Sequence, residues 1–185
     1  MKLFAVWFVV LGAISMHCGG AFADNVICDG PYALCTSAPC VPDPRDPQNK
    51  SICECVVEMG KSFGNSTCEE RKAKALPDGT KTVVSTYSFE QVPVTQLMSC
   101  PSGKPWSNCL DYPCTVDPLD TKRAVCSCKI ERQGEWVTYG GSCVQGSCGL
   151  GYWSGATKDA YLGGSKYLAK ELGLKEIPMN WCAKK

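Results

Sequence analysis

Cysteine is the residue type in this chain with the most chemistry open to it, and its spacing follows one pattern twice. In each copy a first cysteine is followed by C-x4-C, then by C-x-C after eleven or twelve residues, and then by a sixth cysteine. The recurrence of so long a pattern indicates a duplicated unit held together by disulfides. The two copies are Cys28, Cys35, Cys40, Cys53, Cys55 and Cys68, and Cys100, Cys109, Cys114, Cys126, Cys128 and Cys143.

The copies share more than cysteine. An aromatic residue, Tyr32 or Trp106, lies three positions before the second cysteine, and a proline precedes the third. The segments 43–46 and 117–120 both read Asp-Pro-x-Asp. This agreement strengthens the interpretation of an internal duplication.

The C-x-C pairs lie in segments rich in strand-forming residues, 51–57 and 124–130. Side chains at i and i+2 of a strand point to the same face, with Cα atoms about 6.6 Å apart and parallel Cβ vectors. That separation is at the far end of the range that a disulfide spans. We therefore expect the two cysteines of each C-x-C pair to bond different partners.

The first 23 residues have the features of a secretory signal peptide: Lys2, an apolar run over 3–14 and an Ala-Phe-Ala cleavage site at 21–23. The apolar run is shorter than the roughly 20 residues of a membrane-spanning helix. Cleavage would remove Cys18 and leave 14 of the 15 cysteines, an even number that predicts seven disulfides. The expected location is therefore extracellular, or periplasmic in a bacterium.

The rest of the chain divides into four predicted parts. Repeat 1 covers 24–75 and repeat 2 covers 100–148, each expected to be a β-hairpin with a disulfide-stapled arm, turning at the glycine of 59–61 or 133–135. The connector 76–99 carries one strand over 82–89 that could pair with either repeat, and 149–185 holds a glycine-aromatic loop and a helix over 160–172. The predicted fold class is a small disulfide-rich, mainly β protein with two tandem six-cysteine repeats and a C-terminal helix.

Three smaller predictions concern the two cysteines outside the copies and the charged segment 69–75. Cys148 and Cys182 stand outside both copies, so the economical pairing joins them to each other. The segment 69–75 is a short helical candidate. Its basic residues Arg71, Lys72 and Lys74 lie beside Glu69 and Glu70, which favours a solvated face.

The chemistry available to this chain is narrow, since its single histidine, His17, lies in the signal segment. A Ser-His-Asp triad and histidine-based metal sites are thereby excluded from the mature chain. No pair of cysteines has C-x-x-C spacing, which argues against dithiol redox catalysis and zinc ribbons. The C-x-C pairs could bind Cu or Zn through thiolates, but structural disulfides are the favoured interpretation.

The two Asp-Pro-x-Asp segments are the remaining candidate sites. Their carboxylates could bind calcium or act as an acid–base pair, although Asp-Pro is ordinary turn chemistry. Basic residues at corresponding places suggest a double-headed inhibitor of trypsin-like proteases. The candidate contact residues are Asp43, Arg45, Asp46, Lys50, Asp117, Asp120, Lys122 and Arg123.

The leading functional hypothesis is a secreted, disulfide-stabilised, non-enzymatic binding or interaction protein without a cofactor. Its partner would be another protein or a surface ligand. The mature chain carries 18 basic and 18 acidic residues, which gives no argument for nucleic acid as a partner. A protease inhibitor, a soft-metal thiolate binder and a histidine-free enzyme using Asp117 or Asp120 stay as alternatives.

Overall fold

The computed structural model describes residues 25–89, 96–139, 146–149 and 152–182. The predicted signal peptide, residues 1–23, lies outside these ranges. The described residues form a mainly β fold with, in chain order, β1 (Val26–Leu34), β2 (Cys40–Pro42), β3 (Lys50–Gly64), β4 (Lys74–Ala75), β5 (Lys81–Val84), β6 (Tyr87–Ser88), β7 (Gln96–Cys100), β8 (Trp106–Asn108), β9 (Pro113–Val116), β10 (Arg123–Glu131), β11 (Trp136–Tyr139), α1 (Gly146–Gly149), β12 (Trp153–Thr157), α2 (Lys158–Glu171) and β13 (Asn180–Trp181).

The centre of the fold is the antiparallel pair of β3 and β10, which contain the two C-x-C motifs. Their register places Cys53 opposite Cys126. β2 and β1 pair with β3 on its other edge, while β9 and β8 pair with β10. The strands around the two C-x-C motifs therefore form one continuous sheet.

The connector strands join this sheet at two places. β6 pairs with β3, and β5 pairs with β9. The predicted single strand over 82–89 is wrong, because the chain forms two short strands there; the expected pairing with either copy is confirmed, since they bond to both. A second group of strands, β13, β7, β11 and β12, meets the central sheet where β12 runs parallel to β8.

Six disulfides have both of their cysteines among the described residues. Cys53 bonds Cys40 while Cys55 bonds Cys35, and the corresponding bridges near the second C-x-C motif are Cys114–Cys126 and Cys109–Cys128. The prediction that each cysteine of a C-x-C pair has its own partner is confirmed. The outer bridges are Cys28–Cys68 and Cys100–Cys148.

The predicted pairing of Cys148 with Cys182 is wrong, because Cys148 bonds Cys100. The tail returns along β7, where the Cys182 amide donates to the Leu97 carbonyl at 2.8 Å, and Cys182 is itself disulfide-bonded. Cys143 lies outside the described residues. A count of unmatched cysteines could not foresee this arrangement, since it depends on the path of the tail.

The predicted hairpins are also wrong. β3 continues through Met59, Gly60 and Lys61, and Gly60 lies opposite Gly30 of β1 with both glycines at positive φ. In the second copy the chain does turn at Gly134, but β11 then pairs with β7 and β12. A glycine at positive φ lies at this place in both copies, yet it closes a hairpin in neither.

The C-terminal helix is confirmed as α2, which packs against β3. Thr157 caps its first turn by accepting the Ala160 amide at 3.1 Å, and the chain leaves it at Gly173, whose φ is +65°. A Cβ on Gly164 would lie 2.9 Å from the Phe63 ring. This glycine therefore permits the close approach of helix and strand, at the cost of helix propensity.

The helical candidate 69–75 is wrong. The Glu70 carboxylate accepts the Thr67 amide at 2.9 Å, and the Arg71 amide donates to the Thr67 carbonyl at 3.1 Å, which completes a single turn. The chain then extends into β4, which pairs with β5. So short a segment cannot sustain a helix by itself when strand pairing competes for its backbone groups.

The bridges near the C-x-C motifs form the main core. Cys35 Sγ lies 3.3 Å from Cys126 Sγ, and Cys53 Sγ lies 3.5 Å from Cys109 Sγ, so bridges of the two copies touch. Ala33, Val83 and Ala124 pack around them. No helix among the described residues is long and apolar enough to cross a membrane.

Candidate functional site

The two Asp-Pro-x-Asp segments form loops with the same backbone frame. The first loop, residues 43–49, joins β2 to β3, and the second loop, residues 117–122, joins β9 to β10. The Asp43 amide donates to the Lys50 carbonyl at 2.8 Å, and the Asp117 amide donates to the Arg123 carbonyl at 2.9 Å. Each loop is thus closed at its base by a hydrogen bond, next to the bridge Cys40–Cys53 or Cys114–Cys126.

The leading aspartate of each loop organises its own turn. Asp43 Oδ1 accepts the Arg45 amide at 3.0 Å, and Asp117 Oδ1 accepts the Leu119 amide at 2.8 Å. In the second loop Asp120 Oδ1 also accepts the Lys122 amide at 3.1 Å. The carboxylates are therefore used as turn acceptors, as Asp-Pro segments commonly are.

The two loops differ in what covers the aspartate. Arg45 reaches back over Asp43, with Nε 3.1 Å from Oδ1 and Nη2 2.9 Å from Oδ2. The Asp43 side chain is only 2% exposed, while that of Arg45 is 82% exposed. The side-chain and amide hydrogen bonds from Arg45 hold the pKa of Asp43 below its usual value.

Leu119 takes the place of Arg45 in the second loop. A leucine cannot bond the aspartate below it, and Leu119 is 95% exposed. The basic residues of these loops were predicted as contact residues, whereas Leu119 was not. The signal was present in the alignment of the two copies, where an apolar residue occupies the corresponding place in an otherwise polar turn.

Of the other basic candidates, Arg123 is held by acidic neighbours, whereas Lys50 and Lys122 form no ion pair with the described residues. Arg123 pairs with Glu54 across the β3–β10 ribbon and lies 3.4 Å from Asp120. The hydrogen bond and charge of Glu54 raise the pKa of Arg123, with a smaller contribution from Asp120. Lys50 and Lys122 are exposed, and Asp46 accepts the Asn49 side chain at 2.9 Å.

The loops lie at opposite ends of the central ribbon. Lys50, where the first loop ends, pairs with Lys129, whereas Arg123, where the second loop ends, pairs with Val56. Six residues of strand separate these points, about 20 Å at 3.3 Å per residue. The structure therefore does not bring the candidate contact residues together into one surface. It forms two separate sites.

Two groups of three cysteine sulfur atoms lie close enough together to resemble a metal site. Cys35, Cys114 and Cys126 lie within 4.8 Å of one another, as do Cys53, Cys109 and Cys128. All six are disulfide-bonded, and a disulfide sulfur is not the thiolate that a soft metal requires. The clustering reflects the packing of adjacent bridges.

The cluster of Arg71, Lys72 and Lys74 is divided by the fold. Lys72 and Lys74 are exposed, as expected of a solvated face, but Arg71 is buried. The prediction of a solvated face is therefore wrong for Arg71. Nothing in the local sequence separates it from its neighbours, since its burial depends on contact with the distant strand β1 through the Val26 carbonyl.

Comparisons with known proteins return no match, whether with family models, with curated proteins or with solved structures.

Proposed function

We propose that this chain is a secreted, non-enzymatic binding protein in which a duplicated disulfide module presents one contact loop at each end of the central ribbon. The observation that carries the proposal is the pair of loops described above. They have equivalent backbone frames, each is anchored beside a disulfide, and each places one strongly exposed side chain at its turn, Arg45 or Leu119.

The symmetry of the ribbon supports the duplication. Cys53 and Cys126 occupy equivalent positions in the cysteine pattern and lie opposite one another, so a local twofold axis would pass between them. The sulfur contacts obey the same exchange, since Cys35 touches Cys126 and Cys109 touches Cys53. Such an axis sends equivalent loops to opposite ends, as in an isologous dimer interface. Two binding sites are therefore the natural consequence of the duplication.

The anchoring of the loops favours a role in binding. A loop whose ends are held by a hydrogen bond and a disulfide loses little conformational freedom when a partner binds it. Because one loop offers a guanidinium and the other an isobutyl group, the two sites would select chemically different partners. The partners fitting these loops are proteins with an acidic contact for Arg45 and an apolar pocket for Leu119.

Site-specific photo-crosslinking tests the proposal. A photoreactive amino acid is placed at Arg45, at Leu119, or at Met59, which is 73% exposed and belongs to neither loop. The purified variants are incubated with the secreted and surface proteins of the source cells. We expect a discrete adduct from each loop position and none from position 59, and competition by unlabelled wild-type protein. Equal labelling from all three positions, or no adduct from either loop, would contradict the proposal.

A double-headed protease inhibitor is the second candidate. The exposed Arg45 and Leu119 match the side chains that trypsin-like and chymotrypsin-like specificity pockets accept. The loop backbone does not favour it, because the Lys50 amide donates to the Asp46 carbonyl at 2.9 Å and closes a helical turn in the first loop. Inhibition of trypsin by the wild type and its loss in Arg45→Ala, with chymotrypsin inhibition lost only in Leu119→Ala, would select this candidate.

A further inference from the structure

The outer edge of β9 is covered by a strand of the same chain, whereas the equivalent edge of β2 is not. β2 and β9 hold the third cysteine of each copy, Cys40 and Cys114. β9 lies between β10 and β5, with Val83 of β5 opposite Cys114. β2 pairs with β3 on one side, and no strand among the described residues pairs with its other side. The edge that is filled in the second copy is therefore open in the first.

The amide and carbonyl of Cys40 point toward this open edge. In both copies the third and fourth cysteines lie opposite each other with Cα atoms 4.2 Å apart, the close spacing of a non-hydrogen-bonded pair. The backbone groups of the third cysteine then point away from the fourth. Those of Cys114 point to β5, as the neighbouring bond from the Ser85 amide to the Tyr112 carbonyl indicates. Those of Cys40 have no hydrogen-bond partner among the described residues.

The side chains show the same difference between the two edges. Val83 is 4% exposed and packs in the core with the Cys114–Cys126 bridge, and Cys114 itself is 1% exposed. Cys40 is only half-buried, and its neighbour Val41 is 60% exposed. A β-branched residue placed opposite Cys40 would cover its bridge as Val83 covers that of Cys114.

The open edge is short and has defined ends. Pro39 and Pro42 flank its centre and have no amide hydrogen to donate. Beyond Pro39, the Ala38 carbonyl already accepts the Ser154 amide at 3.0 Å. An added strand that followed the direction of β5 would therefore end before Ala38 and have its N-terminal end beside the first loop. So short an edge resists aggregation between sheets but can bind one extended segment.

The first loop determines the charge that suits such a segment. In the second copy, Lys81 of β5 lines a groove together with Asp117. In the first copy Arg45 covers Asp43 and is 82% exposed, and Lys50 is exposed without an ion pair to any described residue. The charge presented at this place is reversed, so the residue corresponding to Lys81 should be acidic.

We propose that the outer edge of β2 binds an extended segment of a partner protein as an added antiparallel strand. The segment has a β-branched residue opposite Cys40 and, on its N-terminal side, an acidic residue near Arg45. Main-chain hydrogen bonds to Cys40 supply affinity and the two side chains supply specificity, as in other sheets that a partner strand extends. The inference rests on the proposed function, since this partner is the one that contacts the first loop.

A peptide derived from β5 tests the proposal. The probe has the sequence of residues 78–84 with Lys81→Glu and blocked ends, and it is added in excess to oxidised, ¹⁵N-labelled wild-type protein. We expect saturable shifts of the Cys40 and Val41 amide resonances, and slower hydrogen exchange of the Cys40 amide. An unshifted Cys40 amide would overturn the proposal.

N-methylated peptides provide a matched pair of controls. Methylation at the position of Val83 removes the amide that would face Cys40, so it should abolish the shifts. Methylation at the position of Val84, whose amide would face solvent, should leave binding unchanged, since alternate residues of a strand bond to opposite sides. Binding that survives methylation at Val83 would overturn the added strand.

Two protein variants test the charge of the segment. The same peptide with Lys81 retained should bind the wild type about 2- to 5-fold more weakly, the size of an exposed ion pair. Arg45→Ala should remove this preference and still bind both peptides, whereas Lys122→Ala, in the second loop, should keep it. A preference that persists in Arg45→Ala would overturn the assigned chemistry of the partner.

The same spectra distinguish other occupants of the edge. A Cys40 amide already protected in a dimer of the free protein would assign the edge to a second copy and overturn the proposal. Crosslinked adducts from position 45 without any effect of the peptide on Cys40 would overturn the added strand and leave the proposed function standing. Peptide binding at Cys40 without such adducts would support the added strand and contradict the proposed function.

Discussion

The two cysteine modules of this chain, residues 28–68 and 100–148, share their inner bridges and differ in their outer ones. The inner bridges join the second cysteine to the fifth and the third to the fourth in both modules. The outer bridge of the first module closes on Cys68, whereas that of the second reaches Cys148. The inner bridges lie in the core that both modules build together, so a change in one must suit the other. The outer bridges lie outside that core, and Cys100 and Cys148 pack instead with Trp106 and Trp136.

The largest expected effect is the loss of stability on removing a disulfide, which should be greater for an inner bridge than for an outer bridge. The longer loop closed by Cys28–Cys68 should favour that bridge by only about 0.6 kcal/mol, since loop entropy grows slowly with length. Removing two packed sulfur atoms from the core should cost about 1–3 kcal/mol more. We therefore expect the pair Cys35→Ala and Cys55→Ala to lower the free energy of unfolding more than the pair Cys28→Ala and Cys68→Ala.

Guanidinium denaturation of both double variants measures this difference. The corresponding pair in the second module, Cys109→Ala and Cys128→Ala, is the control and should match the inner pair of the first. An outer-bridge variant that is the less stable of the two would show that loop entropy, and not core packing, distinguishes the bridges.

The helix α2 packs against β3 of the first module, and two adjacent glycines test that contact. Gly164→Ala would place a methyl group 2.9 Å from the Phe63 ring, so we expect a loss of about 1–3 kcal/mol from overpacking. Gly163→Ala meets no atom within 4 Å and should gain about 0.5–1 kcal/mol from helix propensity. Thermal unfolding of the two variants should shift the melting temperature in opposite directions.

The smallest expected effect concerns the aspartate of each loop, since Arg45 pairs with Asp43 in the first loop and Leu119 takes its place in the second. In Arg45→Ala the pKa of Asp43 should rise toward its ordinary value, because the hydrogen bonds from the guanidinium are its main cause of depression. An aspartate with a lowered pKa in the fold contributes stability above its unfolded pKa, and that contribution disappears as the pH falls through the folded pKa. Arg45→Ala should therefore lose stability near neutral pH and show a weaker dependence on acid.

Carboxyl resonances followed by NMR between pH 2 and pH 6, about the usual range for aspartate, measure this change. The reciprocal variant Leu119→Arg should gain stability near neutral pH if the loop frames are equivalent. An unchanged free energy of unfolding would limit the equivalence of the loops to their backbone.

Much of the fold follows from local pattern. The strands at the C-x-C motifs, the separate partners of their cysteines and the helix ending at Gly173 each depend on a few neighbouring residues. The partners of strands and of the outer cysteines depend on residues far along the chain. Gly60 shows this limit, because a glycine at positive φ fits a turn and also fits inside the long strand β3.

The candidate site was also predictable only in part. The repeated Asp-Pro-x-Asp segments identified the loops and the turn chemistry of Asp43 and Asp117. Their placement about 20 Å apart was not predictable, since it depends on the register of β3 with β10. Arg71 was assigned to the wrong environment because charge and local spacing say nothing about its contact with the distant strand β1.

The sequence by itself determined that this chain is rich in disulfides, that each C-x-C pair divides between two partners, and that each Asp-Pro-x-Asp segment forms an aspartate-capped turn. These properties follow from the geometry of a few consecutive residues. Only the tertiary structure decided that the modules share one sulfur core, that their loops point to opposite ends, and that one arginine of a charged surface turn is buried against a distant strand. Each of these depends on strand register and on contacts between distant segments, for which local physics sets no preference.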